Sequence, residues 1–228
     1  MQYFLVVIMV LLASCQSAPA QPTLGDQDMP SIRYLALGDS YTIGESVSEQ
    51  ERWPDQLARL LQAEGIHTEV TIIARTGWTT SELWEGIQAR QIQPPYDLVS
   101  LLVGVNNQYR GYSIDEYREQ FTFLLNKAIE YAGGKPERVI VLYIPDWGVT
   151  PFAADRDTER IAQEIDAFNS VNREESERAG VRYIDVTPIS RMATDEASLI
   201  AEDGLHPAGK MYALWAEQVL PVARAILQ

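Results

Sequence analysis

The chain has 228 residues, 46% of them hydrophobic and 22% charged, which suits one globular α/β domain and excludes an intrinsically disordered chain. Its 32 acidic and 18 basic residues give a formal net charge of -14, which repels phosphate and argues against nucleic acid as a partner. A single cysteine, Cys15, excludes an intrachain disulfide and a zinc site built on several thiolates; any imidazole base must be His67 or His206.

In chain order, Phe4 to Leu12 is an apolar run too short to span a bilayer of ~30 Å as a helix, and it reads as the core of a secretory signal. Leu12-Ala13-Ser14-Cys15 resembles the lipobox of bacterial lipoproteins at all four positions, although no Lys or Arg precedes Phe4. The resemblance implies removal of residues 1–14 as a signal peptide and lipidation of Cys15. Gln16, rather than Asp, after the cysteine implies export to the outer membrane or periplasm of a Gram-negative bacterium, with the lipid anchor as the only membrane contact. The plainer alternative is an ordinary signal peptide cleaved nearby. Residues 15–31 contain Ser, Ala, Pro, Gln, Gly and Asp with little apolar content and read as a flexible tether to a folded domain at 32–228.

Ile32 to Leu37 is short, apolar and β-prone, a buried first strand, and the polar turn Gly38-Asp39-Ser40-Tyr41 follows at once. A serine on such a turn stands exposed at the strand end, where it can act as a nucleophile; the bland reading is that Asp39 and Ser40 only cap a helix. After the polar stretch Glu45 to Arg52, a helix opens near Trp53 with Pro54 in its first turn, carries Trp53, Leu57, Leu60 and Leu61 on one face, and closes at Gly65. Val70 to Ala74 is a second strand ending in Arg75-Thr76-Gly77-Trp78. Thr79 and Glu82 have capping-box spacing before a helix with Leu83, Trp84 and Ile87 inward.

Leu98 to Val103, the most apolar strand, is expected at the sheet centre and runs into Gly104-Val105-Asn106-Asn107. Ser113 and Glu116 repeat the capping-box spacing before a helix that carries Tyr117, Phe121, Leu124, Leu125 and Ala128. Val139 to Ile144 is a fourth strand, and a loop from Pro145 to Pro151 follows. Ile161, Ile165 and Phe168 mark a long helix ending near Gly180, and Val181 to Val186 is the fifth strand. An irregular stretch reaches Pro207 before a last helix with Tyr212, Trp215 and Val219. Strands alternating with helices mean βαβ units and a parallel sheet covered on both faces.

In such sheets ligands bind beyond the carboxyl ends of the strands, and every unusual polar turn here falls at such an end. An attacking serine needs a base, which His206 can be; the base needs a carboxylate to hold its tautomer, which Asp203 in Asp203-Gly204-Leu205-His206 can be. A developing oxyanion needs donors, and the Ser40 N–H, the Gly77 N–H and the Asn106 amide can supply three.

These blocks together, in this order and each at a strand end, resemble the SGNH/GDSL hydrolase family. Gly38-Asp39-Ser40 matches its first block, Gly77 the glycine of its second, Gly104-x-Asn106 its third and Asp203-x-x-His206 its last, over about Ile32 to the C-terminus. The resemblance implies a flavodoxin-like three-layer α/β/α sandwich with a five-stranded parallel sheet in the order 2-1-3-4-5. It also implies nucleophile Ser40, base His206, orienting Asp203, and an oxyanion hole of Ser40, Gly77 and Asn106. The third block usually reads Gly-x-Asn-Asp; Asn107 in place of the aspartate touches the support of that loop and leaves the donor Asn106 in place.

A Gly-x-Ser-x-Gly elbow, a Gly-x-Gly-x-x-Gly fingerprint after the first strand and a Walker loop are all lacking. His67, between a helix and a strand, reads as a surface or structural residue. Trp53, Trp84 and Trp215 read as core, whereas Trp78, Asn107 and Trp147 in strand-end loops are candidates for the substrate pocket. The expected activity is hydrolysis of carboxylic esters through an acyl-enzyme by a monomer, without metal or cofactor. Candidate substrates are short acyl esters, acetylated glycans, lysolipids and thioesters. The alternatives are a glycan- or lipid-binding protein that has lost catalysis on the same scaffold, and an acyltransferase.

Overall fold

A computed structural model describes residues 31–228. The signal-peptide and Cys15 readings, and the tether up to residue 30, lie outside the described residues. Five strands form one parallel sheet: β1 (Ile32–Gly38), β2 (Thr68–Ala74), β3 (Leu98–Leu102), β4 (Val139–Leu142) and β5 (Arg182–Ile184), in the order β2-β1-β3-β4-β5. Every residue of β3 and β4 is buried, because helices cover both faces of the sheet there. At the β2 edge, burial alternates with exposure.

The long helices are α2 (Trp53–Ala63), α3 (Thr80–Gln88), α5 (Ile114–Tyr131), α6 (Thr158–Ala179) and α8 (Gly209–Leu227). α2 packs on α8, while α5 packs between α3 and α6, which makes the two helical layers of a three-layer α/β/α sandwich. Trp53 and Trp215 are fully buried, as their helical spacing requires. Trp84 is not in the core. It lies half-buried on the outer side of α3, edge-on to Phe123 with ring centroids 4.9 Å apart and with the Lys127 ammonium 5.7 Å from its ring. The alternation of apolar residues in so short a helix does not separate a flank from the inward face.

The Thr79–Glu82 capping box forms in both directions. At Ser113 only half of the expected box exists: the hydroxyl accepts from the Glu116 N–H, but the Glu116 carboxylate takes the Gln120 amide at 3.1 Å instead. Three short helices complete the chain, α1 (Ser40–Ile43), α4 (Val105–Tyr109) and α7 (Thr187–Arg191). None is long enough to show a helical period. α1 and α4 begin where β1 and β3 end, so the site is assembled on two one-turn helices at the carboxyl edge of the sheet.

Two glycines set that edge. A Cβ on Gly38 would sit 2.5 Å from the Leu102 carbonyl oxygen and overlap Thr42, so β1 and β3 approach this closely only with hydrogen there. Gly104 has φ +130, a backbone open to glycine, and a Cβ would meet the Tyr117 hydroxyl at 2.5 Å.

Candidate active site

Asp39 caps α1, its Oδ1 accepting from the Tyr41 N–H at 3.1 Å, and this presents Ser40 as the first residue of the turn. The Asp39 carboxyl is fully buried, with Oδ2 left without a hydrogen-bond partner among the described residues. Burial pushes it up to about 7, against the pull of backbone N–H groups at Tyr41, its own residue and Gly104. Ser40 is 4% exposed and lines a cavity of about 190 Å³. Asn106 of α4, Trp147 and His206 line the same cavity, with Tyr109 and Phe152 at its rim.

His206 and Asp203 meet because they are three residues apart on a tight loop around Gly204, which has φ +72. The imidazole Nδ1 lies 2.6 Å from Asp203 Oδ2, and Asp203 Oδ1 accepts from the backbone N–H groups of Leu205 and His206, each at 2.9 Å. This network assigns the Nδ1–H tautomer and leaves Nε2 as the lone pair facing the cavity. The Tyr41 ring stands edge-on to the imidazole at 5.9 Å, and the His206 carbonyl accepts from the Ala201 N–H at 2.8 Å, which fixes the ring's plane and backbone. No hydrogen bond joins Ser40 Oγ to His206 among the described residues.

Asp203 has a partner that sequence reasoning did not find. The Ser46 hydroxyl donates to Asp203 Oδ2 at 2.6 Å from a loop 157 residues away. Ser46 has φ +65, which makes it the single non-glycine residue in the left-handed region among those described. Partial burial by itself would raise the Asp203 carboxyl. The hydrogen bonds from Ser46, His206 and the two backbone N–H groups outweigh it and hold the carboxyl well below the usual carboxylate range. Asp203 therefore stays ionised. A non-glycine residue in a polar loop offers no sequence signal for positive φ, so Ser46 could be seen only in three dimensions.

The second and third blocks meet through α4. The Asn106 amide donates to the Trp78 carbonyl at 2.9 Å, and Arg110, at the end of the same helix, donates to the Gly77 carbonyl at 2.6 Å while pairing with Glu82 at 3.1 Å. Two side chains one turn apart thus hold two consecutive carbonyls of the Gly77 turn. With φ +85, Gly77 turns its carbonyl to Arg110. An amide NH2 has two donors, so Asn106 keeps one N–H for the cavity after its bond to Trp78.

Two of the pocket candidates lie elsewhere. Asn107 is fully buried: its Oδ1 accepts from the Thr80 N–H at 3.0 Å and its Nδ2 donates to Thr80 Oγ1 at 2.7 Å, tying α4 to the start of α3. The Thr80 hydroxyl passes that bond on to Gln120. Trp78 lays its ring against Gly86 of α3, where any Cβ would overlap it, and contributes only its carbonyl to the site. Trp147 does line the cavity, its Nε1–H donating to Gln108 Oε1 at 2.8 Å. His67 is remote in sequence and role; its carbonyl accepts from the Ile32 N–H at the start of β1.

Comparison with known proteins follows from this geometry. A family model described as "GDSL-like Lipase/Acylhydrolase family" matches residues 36–214. Among solved structures, a lipase/acylhydrolase from Enterococcus faecalis is similar with a TM-score of 0.68 at 22% identity, over 86% of this chain and 97% of that one. A psychrotrophic esterase from a Pseudoalteromonas species gives 0.67 at 17%, over 86% and 98%. An acetylxylan esterase from Geobacillus stearothermophilus gives 0.66 at 19%, over 84% and 94%. A search of curated proteins by sequence finds no match.

Proposed function

This chain belongs to the GDSL-like lipase/acylhydrolase family and is an ester hydrolase, and on that premise we propose that Ser40, His206 and Asp203 are its catalytic triad, acting on short acyl esters. The observation that carries the proposal is the cavity that Ser40, Asn106 and His206 line together, with Asp203 bound behind the imidazole at 2.6 Å.

In this reading Ser40 Oγ attacks the ester carbonyl while His206 Nε2 takes the hydroxyl proton. Asp203, held ionised by its four donors, stabilises the imidazolium through Nδ1–H without itself taking the proton. The oxyanion receives the Ser40 N–H, the Gly77 N–H and the free N–H of Asn106. His206 then gives its proton to the leaving alcohol oxygen, and the acyl-enzyme remains. Water, deprotonated by the same imidazole, attacks the acyl carbon and restores Ser40.

The cavity beside Ser40 is small, about 190 Å³, which favours short acyl chains over fatty ones. The similarity to an acetylxylan esterase structure supports acetyl esters as the first class to try. The proposal includes export and lipidation of Cys15 from the lipobox resemblance; a fatty-acid label incorporated by the full chain and lost in Cys15→Ser tests it.

The decisive assay is hydrolysis of p-nitrophenyl esters from acetate to palmitate, beside Ser40→Ala. Turnover that falls with chain length and vanishes in Ser40→Ala is expected. Ser40-independent turnover overturns the triad, and absence of turnover on any ester favours a binding protein on the same scaffold. Ester exchange onto an added alcohol at the expense of free acid marks an acyltransferase.

A further inference from the structure

Arg156 lies in the loop before α6, and its guanidinium carbon sits 5.3 Å from the Tyr109 ring centroid, 5.4 Å from that of Trp147 and 4.9 Å from that of Phe152. All three rings line the cavity that holds Ser40 and His206. Tyr109 and Phe152 are 49% and 42% exposed, unusual for large apolar side chains, so they form an open rim. The rim is anchored: the Phe152 N–H donates to the Gly204 carbonyl at 2.9 Å, within the loop that carries Asp203 and His206. Beyond the rim, Tyr109, Trp147 and Arg156 also line a second basin of about 450 Å³, whose far side carries Gln108, Arg160 and Glu164. Arg156 therefore stands at the junction of the two.

No carboxylate of the described residues lies within ion-pair distance of Arg156, and the one hydrogen bond of its guanidinium is from Nη2 to the Tyr109 hydroxyl at 3.3 Å. Arg160, the neighbouring cation of the basin, is neutralised by Glu164 at 2.7 Å, and Asp157 is occupied in capping α6 through the Arg160 N–H. Of the two cations that line the cavity and the basin, Arg156 is therefore the one whose guanidinium remains open to a ligand. A guanidinium stacked on rings is held in orientation with its N–H edge free, the arrangement that binds planar anions in two-pronged fashion.

We propose that Arg156 is a recognition site for an anionic group, carboxylate or phosphate, on the alcohol half of the ester. The proposal rests on the Ser40 reading for its geometry: the acyl group occupies the small cavity, and the alcohol half extends over Tyr109 and Phe152 into the basin. The anion meets the Arg156 fork there, while the remaining hydroxyls face Gln108 and the Arg160–Glu164 pair. A neutral alcohol gains only the aromatic contact.

The test measures kcat/KM on matched pairs of esters with wild type, Arg156→Gln and Arg156→Lys. One arm compares acetylated glucuronic acid with acetylated glucose, and the other compares a short-chain acylglycerol phosphate with the corresponding monoacylglycerol. In one arm or the other, wild type is expected to prefer the anionic ester by on the order of tenfold at low salt, as a charge-assisted pair in partly exposed surroundings would give. That ratio should fall with ionic strength, drop close to one in Arg156→Gln and survive in part in Arg156→Lys. The arm that shows the effect identifies the source of the anion.

An unaltered ratio in Arg156→Gln, or a ratio of one or below in both arms for wild type, overturns the proposal. p-Nitrophenyl acetate with Ser40→Ala separates this from failure of the triad. If Ser40 proves not to be the nucleophile, tryptophan fluorescence titrated with glucuronate and with glycerol phosphate still decides, because Arg156 lies over Trp147. A saturable change that Arg156→Gln abolishes supports the site, and no saturable change in wild type overturns it.

Discussion

Replacing Ser46 by alanine deletes one hydroxyl that touches neither the cavity nor the nucleophile, yet the geometry predicts a loss of activity. The hydroxyl donates at 2.6 Å to Asp203 Oδ2, the oxygen that also faces His206 Nδ1. A hydrogen bond to an ionised group contributes about 1.5–3 kcal/mol. The Asp203 side chain is 30% exposed, so water recovers part of that, and about 1–2 kcal/mol of imidazolium positioning is left to lose. That is a fall in kcat/KM of about 5- to 30-fold, expected in kcat more than in KM because the contact matters when the imidazolium forms. Asp203 is held below the usual carboxylate range by its donors; with one gone, its carboxyl should protonate at a higher pH than in wild type, which an NMR titration of the side chain would read.

Ser46→Gly separates hydroxyl from backbone. Ser46 has φ +65, a conformation that costs an L-residue about 1–2 kcal/mol and glycine almost nothing. The glycine variant should therefore be as impaired as Ser46→Ala on p-nitrophenyl acetate but more stable in urea by about 1 kcal/mol. Activity within twofold of wild type in both variants refutes the reasoning, and recovery in Ser46→Gly alone would assign the effect to backbone strain.

Asn106→Ala removes one oxyanion donor and the Trp78 tether together, and should lower kcat by on the order of 10²–10³; an unchanged rate removes Asn106 from the oxyanion hole. Burial pushes Asp39 from the ordinary carboxylate range up to about 7, so the folded state keeps a proton that the unfolded chain has lost between about pH 4 and 7, and this group makes stability fall as pH rises through that window. Asp39→Asn should gain on wild type in Tm from pH 4 to pH 8, and a difference that is the same at both ends contradicts the assignment. Asn107→Ala leaves the buried Thr80 N–H without a partner and its hydroxyl with Gln120 alone, and should cost about 2–4 kcal/mol by denaturant unfolding. Asn107→Asp should cost less, because the Thr80 N–H keeps its acceptor and the Thr80 hydroxyl can reverse to donate, giving up only its bond to Gln120. Equal losses in the two variants would mean that the network is not what Asn107 supports.

What the sequence by itself determined was whatever is local or periodic. The five strands, their polar carboxyl ends and the long helices are legible because apolar runs, caps and glycines act within a few residues of one another. The Asp203–His206 pair belongs here as well, since a spacing of three on a tight turn already brings the groups together. The demand for glycine at Gly38 does not belong here, because only the packing shows that the Leu102 carbonyl imposes it.

The tertiary structure alone decided which distant side chains complete those local pieces. Ser46 reaches Asp203 across 157 residues, and Arg110 and Asn106 grip the Gly77 turn from another helix. Trp78 and Trp147 stand in equivalent strand-end loops by sequence, yet one packs on Gly86 and the other faces the cavity. Asn107 turns away from the pocket because the Thr80 N–H, free of an intrahelical partner at the start of α3, takes its acceptor from Asn107 in the buried seam between two helices. Each outcome depends on the direction of a side chain from a loop, which composition and period do not encode, and on a partner supplied by the closure of the sheet.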